Sequence, residues 1–280
     1  MTGVGDERRP WIPILSYHSI SESSAAGFRR YTLSADRFRE HLEYLRDRGY
    51  GSLTISEAAA RLDGKTPRPG QSVALTFDDA FEDFATVALP LLLEFQTKAT
   101  LFVPTAFVGG TSTWLDREGE SQRRIASWSQ LREIVAAGIE CGAHSHSHPE
   151  LDRLPAAELE EEIRVPKALL EQHLGREAAS FAYPFGYHSR AVRRAVEAAG
   201  YRAACAVGET SASPRCDPLA IPRLTVPFGT DASGLARLLD DHAGRWARAT
   251  SEIKRKVWRA WRSSSGPARR VPAAAGGQGK

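Results

Sequence analysis

Two carboxylates stand side by side in Leu75-Thr76-Phe77-Asp78-Asp79-Ala80, directly after an apolar run. Neighbouring carboxylates repel unless a cation or a proton relieves them. One of such a pair can bind a metal while the other takes a proton from water; the plainer alternative is an Asp pair capping a following helix. Further along, Gly142-Ala143-His144-Ser145-His146-Ser147-His148-Pro149 places three imidazoles within five residues, again after an apolar run. His144 and His148 are four apart, so one helical turn would bring both rings to one side and leave His146 pointing elsewhere. Neutral imidazole is a common metal ligand; a solvated surface cluster is the alternative. Ser145 rules out an HExxH protease. With one carboxylate, His144 and His148 would form a His-His-Asp set open to water and substrate, as a hydrolytic metal centre requires. A third segment, Ser180-Phe181-Ala182-Tyr183-Pro184-Phe185-Gly186, reads as a Pro-aromatic-Gly turn. Such a turn can aim a backbone N–H at a developing oxyanion, and is otherwise unremarkable.

The elements that must position these groups follow from patterning. Apolar runs at 11–17, 73–77, 99–103, 139–143, 181–183 and 203–207 alternate with amphipathic segments, which predicts about seven strands with intervening helices. Ser34 is the expected N-cap of a helix to about residue 48, ended by Gly49. Phe81, Phe84, Val87, Leu91 and Leu92 mark a second helix, and further helices are expected over 128–137, 155–174 and 189–199, with a kink at Pro166. Residues 109–124 read as a long loop, a length that usually has a functional reason. Carboxylates and imidazoles directly after strands sit where α/β barrels place their chemistry.

Apolar residues make up 42% of the 280-residue chain and charged residues 25%, ordinary values for a globular fold. The net charge of +3 is uneven, because residues 241–280 hold ten Lys or Arg against two acids. Cys141, Cys205 and Cys216 are odd in number and form no disulfide framework, which fits a reducing compartment. No apolar leader follows Met1 and no stretch approaches the ~20 apolar residues of a membrane span. A cytoplasmic location is the expectation.

Thr76-Phe77-Asp78-Asp79, His144-Ser145-x-x-His148 and Tyr183-Pro184-Phe185-Gly186, in this order, resemble the NodB-homology polysaccharide deacetylases, carbohydrate esterase family four. The resemblance covers about residues 11–228. It implies a distorted (β/α)7-type barrel that removes N-acetyl, sometimes O-acetyl or N-formyl, groups from sugars. It further implies Asp78 as general base, Asp79, His144 and His148 as ligands of a divalent metal, and the Phe185 N–H as oxyanion donor. Zinc is the expected metal, with cobalt, nickel or iron as alternatives. Two positions depart from the family pattern. The Arg that usually opens the third motif and orients the catalytic Asp is Ala182, and the usual C-terminal Leu-x-His acid is missing, since Leu224 precedes Thr225 and Val226. Some relatives take the acid from a first-strand segment resembling Leu15-Ser16-Tyr17-His18, which makes His18 the candidate proton donor. The competing reading of His18 is a residue that simply ends a strand.

Trp114, Trp128, Tyr183 and Tyr187 are candidate sugar-stacking faces or, alternatively, core. Cys141 reads as a small buried hydrophobe. The expected organisation is a flexible 1–10, a barrel over 11–240, a basic amphipathic helix over 241–264 and a disordered 265–280. Trp246, Ile253, Val257 and Trp261 form a stripe among arginines and lysines, which would suit an anionic membrane surface or packing on the barrel. No nucleic-acid motif appears. The expected partner is an acylated amino sugar, as oligosaccharide, polysaccharide or lipid-linked form. Rival readings are a non-catalytic carbohydrate binder on the same barrel and a membrane adaptor led by the basic tail.

Overall fold

The computed structural model describes residues 11–64, 70–208, 211–214 and 216–243. Among the described residues there are ten strands: β1 Ile14–Tyr17, β2 Ser19–Ile20, β3 Thr32–Leu33, β4 Gly51–Leu53, β5 Ser72–Phe77, β6 Thr100–Val103, β7 Glu140–Ala143, β8 Ser180–Ala182, β9 Ala203–Val207 and β10 Ile221–Thr225. The helices are α1 Ala35–Asp47, α2 Ile55–Leu62, α3 Leu89–Glu94, α4 Trp128–Ala136, α5 Ala156–Leu174, α6 Arg190–Ala198 and α7 Ala232–Ala243. Parallel pairing runs β1-β10-β9-β8-β7-β6-β5, and β1 pairs β5 to close a seven-stranded barrel. Strand β4 flanks β5 outside the ring.

Side chains alternate across each strand, so the barrel has two apolar cores. Leu15, Tyr17, Leu75, Phe77, Leu101, Val103, Phe181 and Leu224 join one buried cluster with helix residues such as Phe38, Leu42, Ile134 and Ile163. Ile14, Ala74, Phe102, Ala182, Cys205 and Ile221 form a second and smaller cluster, into which α2 contributes Ile55, Ala58 and Leu62. The interior is tight. A Cβ on Gly142 would lie 2.5 Å from Ser180 Oγ and 2.7 Å from the Phe102 ring, so only glycine fits there.

Most expected elements appear within a residue or two. Ser34 caps α1 by accepting the Arg37 N–H, and Ser127 and Gln130 form a capping box on α4. Three expectations are corrected. β4, α2 and β10 depart from the sequence expectation, because a three-residue strand, an eight-residue helix and a five-residue strand interrupted by Pro222 and Arg223 carry little periodic signal. The helix expected from Phe81 opens instead as a π-turn, Phe84–Ala88, before α3. The Asp pair caps no helix. Helix α5 continues across Pro166, the position where a kink is expected, and that side chain is buried. Among the described residues no helix is long and apolar enough to cross a membrane. Of the expected basic extension only 241–243 are described, at the end of α7, and the tryptophan stripe lies outside the described residues.

Candidate active site

The three motif turns leave β5, β7 and β8 at their C-terminal ends, and each is sharp. Asp79, Ala80, Ser145, His148 and Phe185 all have positive φ, between 50° and 72°, without being glycine. Each such residue costs on the order of 1–3 kcal/mol, so the surrounding structure must over-determine it, a pattern that gathers at functional sites. His144 and His148 converge, but not by a helical turn as expected. Ser145 reverses the chain, its Oγ accepts the His148 N–H at 3.0 Å, and Glu162 of α5 accepts the amides of His146 and Ser147 at 2.9 and 2.8 Å. His146 faces away, with Nδ1 2.9 Å from Thr105 Oγ1.

Asp79, His144 and His148 offer one donor atom each, all within 4.8 Å of one another and all buried. His148 Nε2 lies 3.3 Å and His144 Nε2 3.6 Å from Asp79 Oδ1. His144 Nδ1 is 2.8 Å from the Ala182 carbonyl oxygen. A carbonyl only accepts, so Nδ1 carries the hydrogen and Nε2 turns its lone pair to the site. Burial pushes the His144 pKa down to about 4 against the pull of Asp78, which keeps the ring in its neutral, ligating form. Asp79 Oδ1 is buried with no hydrogen-bond partner. A buried carboxylate oxygen with no hydrogen-bond donor, facing two imidazole nitrogens, fits a shared cation. The His148 ring is held between Trp114, stacked at 5.1 Å, and Phe185, edge-on at 4.8 Å.

Opposite these donors lies Asp78. Arg223, on β10, donates to both carboxylate oxygens at 2.7 Å, and its NH1 also reaches Thr76 Oγ1 at 3.2 Å. The guanidinium is 2% exposed and lies 5.7 Å from the centre of the Phe102 ring. Burial disfavours the Asp78 charge, but Arg223, with His144 and His18, outweighs it and holds the carboxyl well below the usual carboxylate range. His18, just past β1, brings Nε2 to 3.9 Å from Asp78 Oδ2. Burial lowers its pKa while Asp78 and Asp79 raise it, and the net direction is downward.

A family profile described as polysaccharide deacetylase matches residues 65–204, half of the chain. The chain belongs to the polysaccharide deacetylase family. YxkH of Bacillus subtilis (strain 168), whose name places it among polysaccharide deacetylases, is 26% identical over 237 residues, covering 85% of this chain and 79% of that protein. The poly-beta-1,6-N-acetyl-D-glucosamine N-deacetylase of Escherichia coli (strain K12) is 28% identical over 156 residues, covering 50% of this chain and 22% of that longer protein. Among solved structures, the Streptococcus pyogenes deacetylase PplD in complex with acetate superposes with a TM-score of 0.72 at 25% identity, covering 82% of this chain and 98% of PplD. IcaB from Ammonifex degensii gives 0.70 at 26%, covering 86% and 98%.

The barrel, the deacetylase class and a site suited to a metal therefore agree with the expectation from sequence. Arg223 is the site residue that sequence reasoning missed. The absence of Arg at Ala182 pointed to a weakened site, yet a guanidinium reaches Asp78 from another strand. Small side chains make this possible: Ala74, Ala182 and Cys205 share the interior cluster and leave volume for a long side chain from β10. The one available signal was a lone Arg in the apolar run Ile221-Pro222-Arg223-Leu224, an inward position once its neighbours are read as a strand.

The candidate stacking faces are corrected in part. Trp114 is 7% exposed and packs on Phe107 and His148, so it is a wall behind His148 and offers no face to a sugar. Trp128 stacks on His173 at 4.1 Å, where α4 meets α5. Tyr183 is buried and donates to the Leu219 carbonyl. Tyr187 stacks on Phe185 at 5.6 Å, and Phe185 is 48% exposed, so this pair does present an aromatic surface at the mouth. Cys141 is buried, as expected.

Proposed function

We propose that this deacetylase hydrolyses the N-acyl amide of an amino sugar, in an oligosaccharide, polysaccharide or lipid-linked form, with Asp79, His144 and His148 holding a divalent cation. The observation that carries the reading is the convergence of those three donors opposite a carboxylate, Asp78, that Arg223 keeps ionised. Two imidazoles and a carboxylate suit zinc, and cobalt, nickel and iron accept the same donors. When bound, such a cation acidifies water and polarises the amide carbonyl.

Asp78 takes the proton of the attacking water, and Arg223 fixes both of its oxygens so that the acceptor cannot rotate away. Phe185 has φ 57° in a turn whose next two amides are already engaged by Tyr183 and Pro184. Its own N–H donates to the carbonyl oxygen as that oxygen becomes negative. The left-handed turn continues at Gly186, where a Cβ would meet Val207 at 2.4 Å. His18 protonates the departing amine as the carbon–nitrogen bond breaks and the acid is released. Burial lowers its pKa, so the ring starts without the extra proton; the proton that Asp78 takes from water passes to His18, whose Nε2 lies 3.9 Å from Asp78 Oδ2, and from there to the amine.

The test is a screen of acetylated and formylated amino sugars with wild type and Asp78→Asn, before and after chelation and after metal is restored. Turnover by wild type alone, lost on chelation and regained with metal, is the expected result. Equal turnover by both proteins removes Asp78 as base. Retained metal without turnover of any acylated sugar replaces this reading with a carbohydrate binder.

A further inference from the structure

The mouth of the barrel is unlike on its two sides. Beyond His148 the rim is the Phe185–Tyr187 pair, aromatic and open. Beyond His18 it is the short turn Arg29–Tyr31. That turn is firmly seated. Phe28, just before it, is 1% exposed and packs edge-on against Phe81 at 5.5 Å. The Arg123 guanidinium covers Phe28 at 5.3 Å and is itself paired with Asp83 and Glu120. Tyr31 lies 4.7 Å from the His18 ring, centre to centre. Arg30 lies over Tyr31 at 4.8 Å, and Arg29 over the exposed Phe228 ring at 5.9 Å.

Both arginines are exposed, and neither is ion-paired to any described residue. Their neighbours differ: Arg37, Arg39 and Arg46 of α1 pair with Glu40, Glu94 and Asp47. A guanidinium lying on a ring keeps its N–H edge free, and that planar fork matches a phosphate better than an ammonium would. Consecutive in the chain, the two arginines carry like charge on one short turn, which a bound anion would relieve. Tyr31 contacts both Arg30 and His18, its ring centre 4.8 Å from the Arg30 guanidinium carbon and 4.7 Å from the centre of the His18 ring.

We propose that Arg29 and Arg30 form an anion subsite that takes a phosphate carried by the acylated amino sugar, adjacent to the ring whose amide is cleaved. The proposal rests on the deacetylase reading and narrows its substrate to a phosphate-linked sugar. The Phe185–Tyr187 face receives the opposite, uncharged side of the same ligand.

The experiment uses the full, metal-loaded chain and the double variant Arg29→Gln/Arg30→Gln. N-acetylglucosamine 1-phosphate is compared with the neutral methyl N-acetylglucosaminide. Wild type is expected to favour the phosphate sugar at least tenfold in kcat/KM, through KM, with a preference that shrinks as salt rises. The double variant should lose at least tenfold more kcat/KM on the phosphate sugar than on the neutral one. Binding of glucosamine 1-phosphate against glucosamine, followed by calorimetry, reads the subsite without turnover and should show the same preference and the same loss. Two further arms, a nucleotide diphosphate sugar and a short-chain polyprenyl phosphate sugar, identify the carrier by which one the arginines favour more. Equal affinity of wild type for phosphorylated and neutral sugars overturns the proposal, as does an equal loss on both in the double variant. A binding preference that persists in a protein hydrolysing no acylated sugar of the wider screen upholds the subsite and rejects the proposed amide hydrolysis.

Discussion

The two corners of the site are built in opposite ways. The donor corner, Asp79 with His144 and His148, is made by two local turns, and its strain is backbone strain at positive φ. The base corner, Asp78 with Arg223 and His18, is made by three strands whose residues lie far apart in the chain, and its cost is the burial of a charged pair. Local turns can be copied with their spelling intact. A buried ion pair only requires that the cation arrive, and the strand that delivers it can change. That difference is how the site keeps a guanidinium on Asp78 although position 182 is Ala.

If the corners are separate, substitutions should separate metal content from chemistry. The largest effect is expected at Asp78: Asp78→Asn should lower kcat about 10²–10⁴-fold, the usual worth of a general base, while metal content by elemental analysis stays near one per chain. His144→Ala should instead lose metal and activity together, and added metal should not restore turnover. Metal loss from Asp78→Asn would break the comparison.

A second test concerns Arg223. Removing one member of a buried ion pair strands the other, so Arg223→Met should cost about 3–5 kcal/mol in denaturant unfolding. Pairing it with Asp78→Asn should recover most of that loss, since no charge is then left buried. Equal destabilisation by the single and double variants would mean that Arg223 acts through packing alone. For the donor corner, Glu162→Gln weakens the acceptor of the His146 and Ser147 amides. A fall in metal affinity of about 10–100-fold is expected, with a smaller change in stability, because the turn that aims His148 loosens.

The smallest expected effect lies outside both corners. His41 is fully buried, with Nδ1 3.1 Å from the Tyr17 hydroxyl and Nε2 2.9 Å from the Thr230 carbonyl oxygen. Burial lowers its pKa below the ordinary 6.5, against the pull of Thr230. Above pH 6.5 the ring is neutral folded or unfolded, and below it the unfolded chain takes the proton first. Stability is therefore present above 6.5 and lost as pH falls towards the folded value, by at most about 1.4 kcal/mol per pH unit from this group. His41→Gln should flatten the urea midpoint against pH by that share below 6.5 and leave the profile above it unchanged in slope.

How much was legible follows the same division. The donor corner could be read because each turn is contiguous: Asp78-Asp79 and His144-x-x-x-His148 carry their chemistry in adjacent letters, even though the turn that joins the histidines is not helical. His18 was legible only as a candidate, since nothing local says which way the end of a strand faces. Trp114 was legible as either a sugar-stacking face or core, and the core reading holds because the bridges Thr111↔Arg124 and Phe81↔Ile125 fold its loop against the barrel.

By itself the chain's spelling determined the alternation of strands and helices, the caps of α1 and α4, and the carboxylates and imidazoles from which the proposed site is drawn. Those features depend on side-chain type, period and residues within a turn of one another. Only the tertiary structure decided that β1 closes on β5, that Arg223 crosses the interior to Asp78 and that Trp114 backs His148. Such contacts join residues brought together by barrel closure and by leftover volume beside Ala74, Ala182 and Cys205, and no local pattern encodes a volume shared by distant strands.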